Sequence, residues 1–221
     1  MSRTIFPRVY LIVLTLALTG SSLAQEPLNL STAKRDVMAY VESGAYGKEL
    51  VKIAMEANKH IIRRAARGAK EGQKLAVIFD IDETTLTNLP HMQTLDFGYV
   101  PPLWDEWVAA GQARAIIPVQ TVYDTALRLC LEIIFITGRK VSDAPGTEKN
   151  LREVGYDTWG QIHYKPNDYT GTSQDFKIGV RKRLAREGYV IIANVGDQWS
   201  DLNGGYAEKV FKLPNPFYWI P

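Results

Sequence analysis

Between Leu30 and about Gly68 apolar residues recur at helical spacing, with Leu50, Ile53, Ala54, Ala57 and Ile61 forming one stripe. Two helices are expected there, the first capped by Ser31 and ended by Gly44. The pattern changes at Gly72. Short apolar runs then appear at Leu75–Phe79, Glu132–Ile136, Gln161–Tyr164, Val190–Val195 and Lys209–Leu213, each of strand length. Helical patterning fills the intervals Val119–Leu129, Thr147–Val154 and Ser173–Arg186. Alternation of this kind predicts an α/β fold, a Rossmann-like and mostly parallel sheet covered by helices on both faces. An N-terminal helical segment precedes it, and a small aromatic insertion follows the first strand. Ligands of such sheets bind beyond the carboxyl ends of the strands. Polar clusters fall at those ends: Asp80 and Asp82 after the first strand, Thr137 after the second, and Asn194 to Asp201 after a later one.

The first residues have a different character. Arg3 and Arg8 make a basic start, Val9 to Leu18 an apolar run, and Ser22-Leu23-Ala24 a small-residue cleavage site, the pattern of an export signal over 1–24. The run is about half of the roughly 20 residues needed to span a bilayer. The reading is therefore an exported protein, periplasmic or secreted, with no stable membrane anchor after cleavage. One domain over 25–221 is expected, with a helical part at 25–72 and an α/β core at 73–221. Cleavage removes two arginines and no acid, so the net charge of +2 falls to zero. Binding of a nucleic-acid polymer by bulk charge loses its support, and the basic run Lys59, His60, Arg63, Arg64, Arg67, Lys70 and Lys74 reads as a solvated helix face. Cys130, the single cysteine, excludes an intramolecular disulfide and is expected to be buried as a small apolar residue. Oligomeric assembly is left open.

The segment Val77-Ile78-Phe79-Asp80-Ile81-Asp82-Glu83-Thr84-Thr85-Leu86 drives an apolar strand into two carboxylates one residue apart. In extended chain such residues point to one side, where two negative charges repel unless a cation or a proton intervenes. A metal, an acid or both are implied; the blander alternative is one helix cap and one solvated carboxylate.

The wording then becomes specific. Asp80-Ile81-Asp82-Glu83-Thr84 resembles the first motif, DxDxT, of the haloacid dehalogenase superfamily. Thr137-Gly138-Arg139 is similar to its second motif, Lys177 to its third, and Gly196-Asp197-Gln198-Trp199-Ser200-Asp201 to its fourth. FDIDETTLTNLP, ITGR, NVGDQWSDLNGG and FKLPNPFYWIP further resemble bacterial class C acid phosphatases and plant vegetative storage proteins, from about Leu75 onward.

The resemblance implies a Mg²⁺-dependent phosphomonoester hydrolase, with nucleoside monophosphates among its candidate substrates. A carboxylate is a sufficient nucleophile toward phosphorus when the phosphoryl group is neutralised and held in line, which assigns that role to Asp80. Asp82 is the expected general acid and base. The resemblance places Mg²⁺ on Asp80, the main-chain carbonyl of Asp82, and Asp197, with Asp201 behind them holding a metal-bound water or Lys177. Lys177, Thr137 and the backbone N–H groups near Gly138 are expected on the phosphoryl oxygens. Arg139 is left between phosphate binding and pairing with an acid.

Among Phe97, Tyr99, Trp104 and Trp107, the pair Tyr99 and Trp104 reads equally as pocket wall or as insertion core, and Trp107 as core. His60, His91 and His163 stand singly, without zinc-ligand spacing. Asn88 and Asn194 read as structural. Two rivals remain: a non-catalytic storage or binding protein of the same fold, and a phosphotransferase to an alcohol acceptor.

Overall fold

The computed structural model describes residues 27–220. The export signal and its cleavage site lie outside the described residues. Helix α1 spans Leu30–Glu42 and is capped by Asn29, whose side chain accepts from the N–H groups of Ser31 and Thr32, so the cap stands two residues before the expected Ser31. Gly44, at φ +77°, turns the chain into α2 (Ala45–Ala65). Tyr46, Leu50, Ala54, Ala57 and Ile61 of α2 are buried at intervals of three and four.

Five strands, β1 (Lys74–Phe79), β4 (Glu132–Lys140), β5 (Gln161–Lys165), β6 (Tyr189–Gly196) and β7 (Val210–Lys212), form a wholly parallel sheet in the order β5-β4-β1-β6-β7. A separate two-stranded antiparallel pair, β2 (Leu86–Thr87) with β3 (Arg114–Ala115), frames the insertion. The insertion itself is helical: α3 spans Leu89–Thr94 and α4 spans Pro101–Ala110, with its two prolines at the start, where the missing N–H costs nothing. The remaining helices are α5 (Ile117–Arg128), α6 (Ala144–Glu153), α7 (Ser173–Arg186) and α8 (Trp199–Leu202).

Side chains alternate across the sheet. Val77, Phe79, Ile133 and Phe135 join α2 and α5 in one core, while Ala76, Ile78, Ile134 and Ile136 meet Val180 and Leu184 of α7 in the other. Both faces are thus covered, which is why β1 reads as an unbroken apolar run. The N-terminal helices are more than a preface, since the α2 stripe forms part of the same core as β1 and β6.

Cys130 departs from expectation. It is exposed, at φ +52° in the turn between α5 and β4, beyond the face of α5 that buries Val122 and Ala126. Among the described residues no helix is long and apolar enough to cross a membrane.

Candidate active site

The C-terminal ends of β1, β4 and β6 bring the predicted groups together. Asp80 follows β1 with its N–H on the Val195 carbonyl at 3.0 Å, and its own carbonyl accepts the Thr85 hydroxyl at 2.5 Å, so the backbone is fixed from both sides. Its carboxylate takes the Lys177 ammonium, which also reaches Asp201 Oδ1 at 2.7 Å. Lys177 stands one turn inside α7, rather than at its opening, and is 3% exposed. Asp197 follows the last residue of β6, its Oδ1 accepting from Thr84 Oγ1 at 3.0 Å and its Oδ2 from Gln198 Nε2 at 2.8 Å and Asn215 Nδ2 at 2.7 Å. Asp201 Oδ2 accepts the Gln198 N–H at 2.8 Å. A Cβ on Gly196 would stand 2.6 Å from Asp201 Cβ, so this loop closes only over a glycine.

One carboxylate oxygen from each of Asp80, Asp197 and Asp201 lies within 4.8 Å of the others, and all three residues are buried. Three buried carboxylates around one ammonium leave the pocket short of positive charge. Burial raises the Asp80 carboxyl well above the usual range against the pull of Lys177, with Asp201, Asp197 and Asp82 adding to the rise. Burial, helped by Asp201, likewise pushes Asp197 up to about 7 against its hydrogen bonds from Asn215 and Gln198. Burial alone would lower Lys177, but Asp201 and Asp80 outweigh it and raise its pKa. The donor set, all hard carboxylate oxygen with excess negative charge, fits a divalent cation.

Asp82 turns elsewhere. Its carboxylate accepts Arg139 Nη2 at 2.7 Å and Nε at 3.1 Å, and Asn88 Nδ2 at 2.9 Å, apart from the group formed by Asp80, Asp197 and Asp201. Arg139 therefore pairs with an acid; its Nη1 donates to Thr147 Oγ1 at 2.9 Å. The β4–β5 ladder breaks between Ile136 and Lys140, so Thr137, Gly138 and Arg139 leave the regular register at the sheet's edge. Thr137 Oγ1 accepts the Arg139 N–H at 3.0 Å.

A cleft of about 910 Å³ opens beside these groups, lined by Asp82, Gly138 and Arg139 on one side and by Tyr99, Trp104 and Trp219 among others on another. Tyr99 is 71% exposed, and the Trp104 ring covers the Arg139 guanidinium at 5.5 Å. Trp107 instead packs on the core and donates Nε1–H to Asn88 Oδ1 at 2.8 Å. His60 contacts the Ile192 carbonyl, His91 stacks on Trp107, and His163 contacts Arg183. Asn194 Nδ2 donates to the Asp201 carbonyl at 3.0 Å.

Sequence reasoning missed four residues here. Glu83, 1% exposed and at φ +53°, is pushed up to about 7 by burial and by the Asp82 charge, and accepts from the Asn88 N–H at 2.5 Å and Tyr218 Oη at 3.0 Å. Those bonds offset the left-handed backbone that turns the motif away from β1. Gln198, Asn215 and Tyr218 tie the last described residues onto Asp197 and Glu83. The Pro-Asn-Pro of residues 214–216 was the available signal for Asn215, a polar side chain held between two fixed backbone angles.

The sequence pattern of the HAD superfamily, subfamily IIIB (acid phosphatase), matches residues 9–221. A stem 28 kDa glycoprotein of Glycine max is 38% identical over 162 residues, 70% of this chain and 64% of that protein. The chain thus spans less than two thirds of the length of that relative. Acid phosphatase 1 of Solanum lycopersicum is 32% identical over 189 residues, 83% of this chain and 73% of that one. A class C acid phosphatase from Bacillus anthracis, solved with tungstate bound, shares the fold at a TM-score of 0.70 and 23% identity, covering 85% of this chain and 86% of the other.

Proposed function

Because the chain belongs to the acid phosphatases of the HAD superfamily, subfamily IIIB, we propose that it is an exported, Mg²⁺-dependent phosphomonoester hydrolase that passes the phosphoryl group through Asp80. The observation that carries this reading is the buried Asp80–Lys177–Asp201 chain, with Asp197 beside it, at the sheet edge next to an open cleft.

Lys177 holds the Asp80 carboxylate in one rotamer and meets the phosphoryl oxygens as they arrive. Thr137 already accepts a bond from the Arg139 N–H, so its own hydroxyl proton is free to donate to the phosphoryl group. Asp80 attacks phosphorus as the ester oxygen leaves on the opposite side, and Asp82 supplies the proton that oxygen takes. In the second step Asp82 removes a proton from the water that cleaves the acyl phosphate. Asp80, Asp197 and the Asp82 carbonyl would hold Mg²⁺, whose charge allows a dianionic phosphate to approach these carboxylates. Asp201 keeps Lys177 and the Gln198 turn in place.

A panel of phosphate esters assayed between acid and neutral pH, with and without Mg²⁺, tests the proposal. Excess chelator is expected to abolish turnover and Mg²⁺ to restore it, while Ca²⁺, larger and less strictly octahedral, supports it poorly. Asp197→Asn is expected to raise the Mg²⁺ concentration for half-activity by about 10–100-fold or more, and Asp201→Asn by much less. Full activity in chelator sinks the metal assignment; equal shifts for the two variants mean the ligand and the supporting residue are exchanged. A panel with no turnover at all favours a storage or binding protein. Faster product release on addition of an alcohol, with phosphate appearing on that alcohol, favours the phosphotransferase.

Tyr99 and Trp104 both border the cleft, their ring centroids 6.4 Å apart, which favours the pocket reading. Replacing either by Ala is expected to weaken nucleotides and aromatic esters by about 1–3 kcal/mol per lost stack and to spare small sugar phosphates. A uniform loss across esters, with a lower Tm, assigns them to the core of the insertion instead.

A further inference from the structure

Lys165 is the last residue of β5 and pairs with Lys140 across the sheet, where the ladder resumes after the Thr137–Arg139 break. Its ammonium lies 3.1 Å from Ser173 Oγ, on the first residue of α7. Ser173 Oγ in turn stands 3.8 Å from the point where a Cβ on Gly138 would be. Lys165, Ser173, Lys140 and Gly138 all line the cleft, whereas Asp80, Lys177, Asp197 and Asp201 do not. The Lys165–Ser173 pair therefore opens on the cleft beside Gly138, outside the buried Asp80–Lys177 pair.

The charge there is unbalanced. Lys165 makes no ion pair among the described residues. Burial lowers its pKa, and the charged neighbours that act on it, Lys177 and Lys140, lower it further. Of the acids bordering the cleft, Asp82 is taken by Arg139, Glu83 accepts from Asn88 and Tyr218, and Asp143 accepts the Lys140 N–H, while Asp105 lies on α4. A half-buried ammonium among cations is costly by itself and is relieved by an anion, which finds here an ammonium and a hydroxyl, while the first turn of the helix is already capped by Thr172 and carries Asp175.

Resting on the reading of Asp80 as the reacting carboxylate, we propose that Lys165 and Ser173 form a second anion subsite, and that the preferred substrates are small bisphosphorylated molecules, one phosphate reacting at Asp80 while the other is held by this pair.

Alkane-1,ω-bisphosphonates of two to six carbons, compared with the matching alkylphosphonates by calorimetry, read the subsite without requiring turnover. The wild-type protein is expected to bind at least one bisphosphonate about tenfold or more tightly than its monophosphonate, the scale of one hydrogen bond to a charged group. Lys165→Met removes that excess and Lys165→Arg keeps most of it, with Tm checked for both. In turnover, Lys165→Met is expected to raise KM for the corresponding diol bisphosphate at unchanged kcat and to leave p-nitrophenyl phosphate within about twofold, since that ester carries no second anion. Equal losses for both esters place the lysine on the transferred phosphoryl group and overturn the proposal. A wild-type protein that prefers no bisphosphonate at any length overturns it too. Failure of the hydrolase reading is a separate result: p-nitrophenyl phosphate untouched while the bisphosphonate preference stands.

Discussion

Asp80→Asn is expected to abolish turnover of every ester together, by about 10⁴-fold or more, the scale on which loss of a nucleophile is felt. The substitution keeps the shape of the side chain and removes its charge. The Asp80 backbone is held by Val195 and Thr85 rather than by its own carboxylate, so the strand end stays in place. Lys177 keeps Asp201 as a partner, which leaves no buried ammonium unpaired. One carboxylate fewer also removes the like-charge crowding of Asp201, Asp197 and Asp82 on that position, so stability should not fall with activity. The loss must reach every leaving group, because each ester needs the same attack on phosphorus by Asp80. Rates for nitrophenyl, ribosyl and glycerol phosphates, with labelling of the protein by phosphate, measure this. Wild-type protein quenched in acid should carry label on Asp80, and the variant none. Retained hydrolysis of any ester in the variant would mean that water attacks phosphorus directly and that Asp80 serves only the metal.

Much of the scaffold was legible because burial writes itself into the chain. β1 has four consecutive buried residues, Ala76 to Phe79, and reads as a strand from its apolar run alone. The bounds of α7 follow from Ser173 and Arg186 as expected, with Thr172 as the capping residue. The insertion was harder. The pattern predicts no helix around Pro101 and Pro102, yet two prolines at a helix start are tolerated, and only the packing of Val108 and Trp107 reveals that a helix follows. Cys130 was misplaced because its neighbours Leu127 and Leu129 suggested a buried run, whereas both are about two-fifths exposed at the end of α5.

The carboxylates of the candidate site were visible from their spacing at strand ends, since topology alone collects such ends on one edge. Their partners were not. Arg139 was left open between two roles because nothing local couples it to Asp82, 57 residues away. Asn215 and Tyr218 reach Asp197 and Glu83 from the far end of the described chain, 18 and 135 residues away, and contacts of that range carry no periodic signal. Lys165 and Ser173 likewise stand 8 residues apart and meet only because β5 and α7 converge at the same edge.

Asp82→Asn is the variant that separates the two aspartates. In the structure the Asp82 carboxylate is occupied by Arg139 and Asn88, so a proton for the leaving oxygen has to be taken up from the solvent of the cleft. Donation therefore requires that the carboxyl leave Arg139 for the leaving oxygen, which borders the same cleft. The asparagine variant can make that movement but delivers no acid. A nitrophenolate departs as a stable anion and needs little help, whereas a ribose or glycerol alkoxide needs a great deal. General acid catalysis is worth about 10²–10⁴-fold, so alkyl esters should lose activity on that scale in single-turnover phosphorylation, and the nitrophenyl ester far less. Steady-state rates would conceal the difference, because the second step also needs Asp82 to activate water. The variant should release a burst of nitrophenol and then hold the phosphoryl group on Asp80. Loss of the charge facing the buried Arg139 lowers stability as well, and Arg139→Met combined with Asp82→Asn controls for it: the Tm recovers toward wild type while the ester dependence remains. Rapid-quench kinetics on both ester classes, with phosphate detected on Asp80, decides the matter. Equal slowing of the first step for both classes, with no trapped phosphoenzyme, would make Asp82 a partner of Arg139 that shapes the cleft and takes no part in proton transfer.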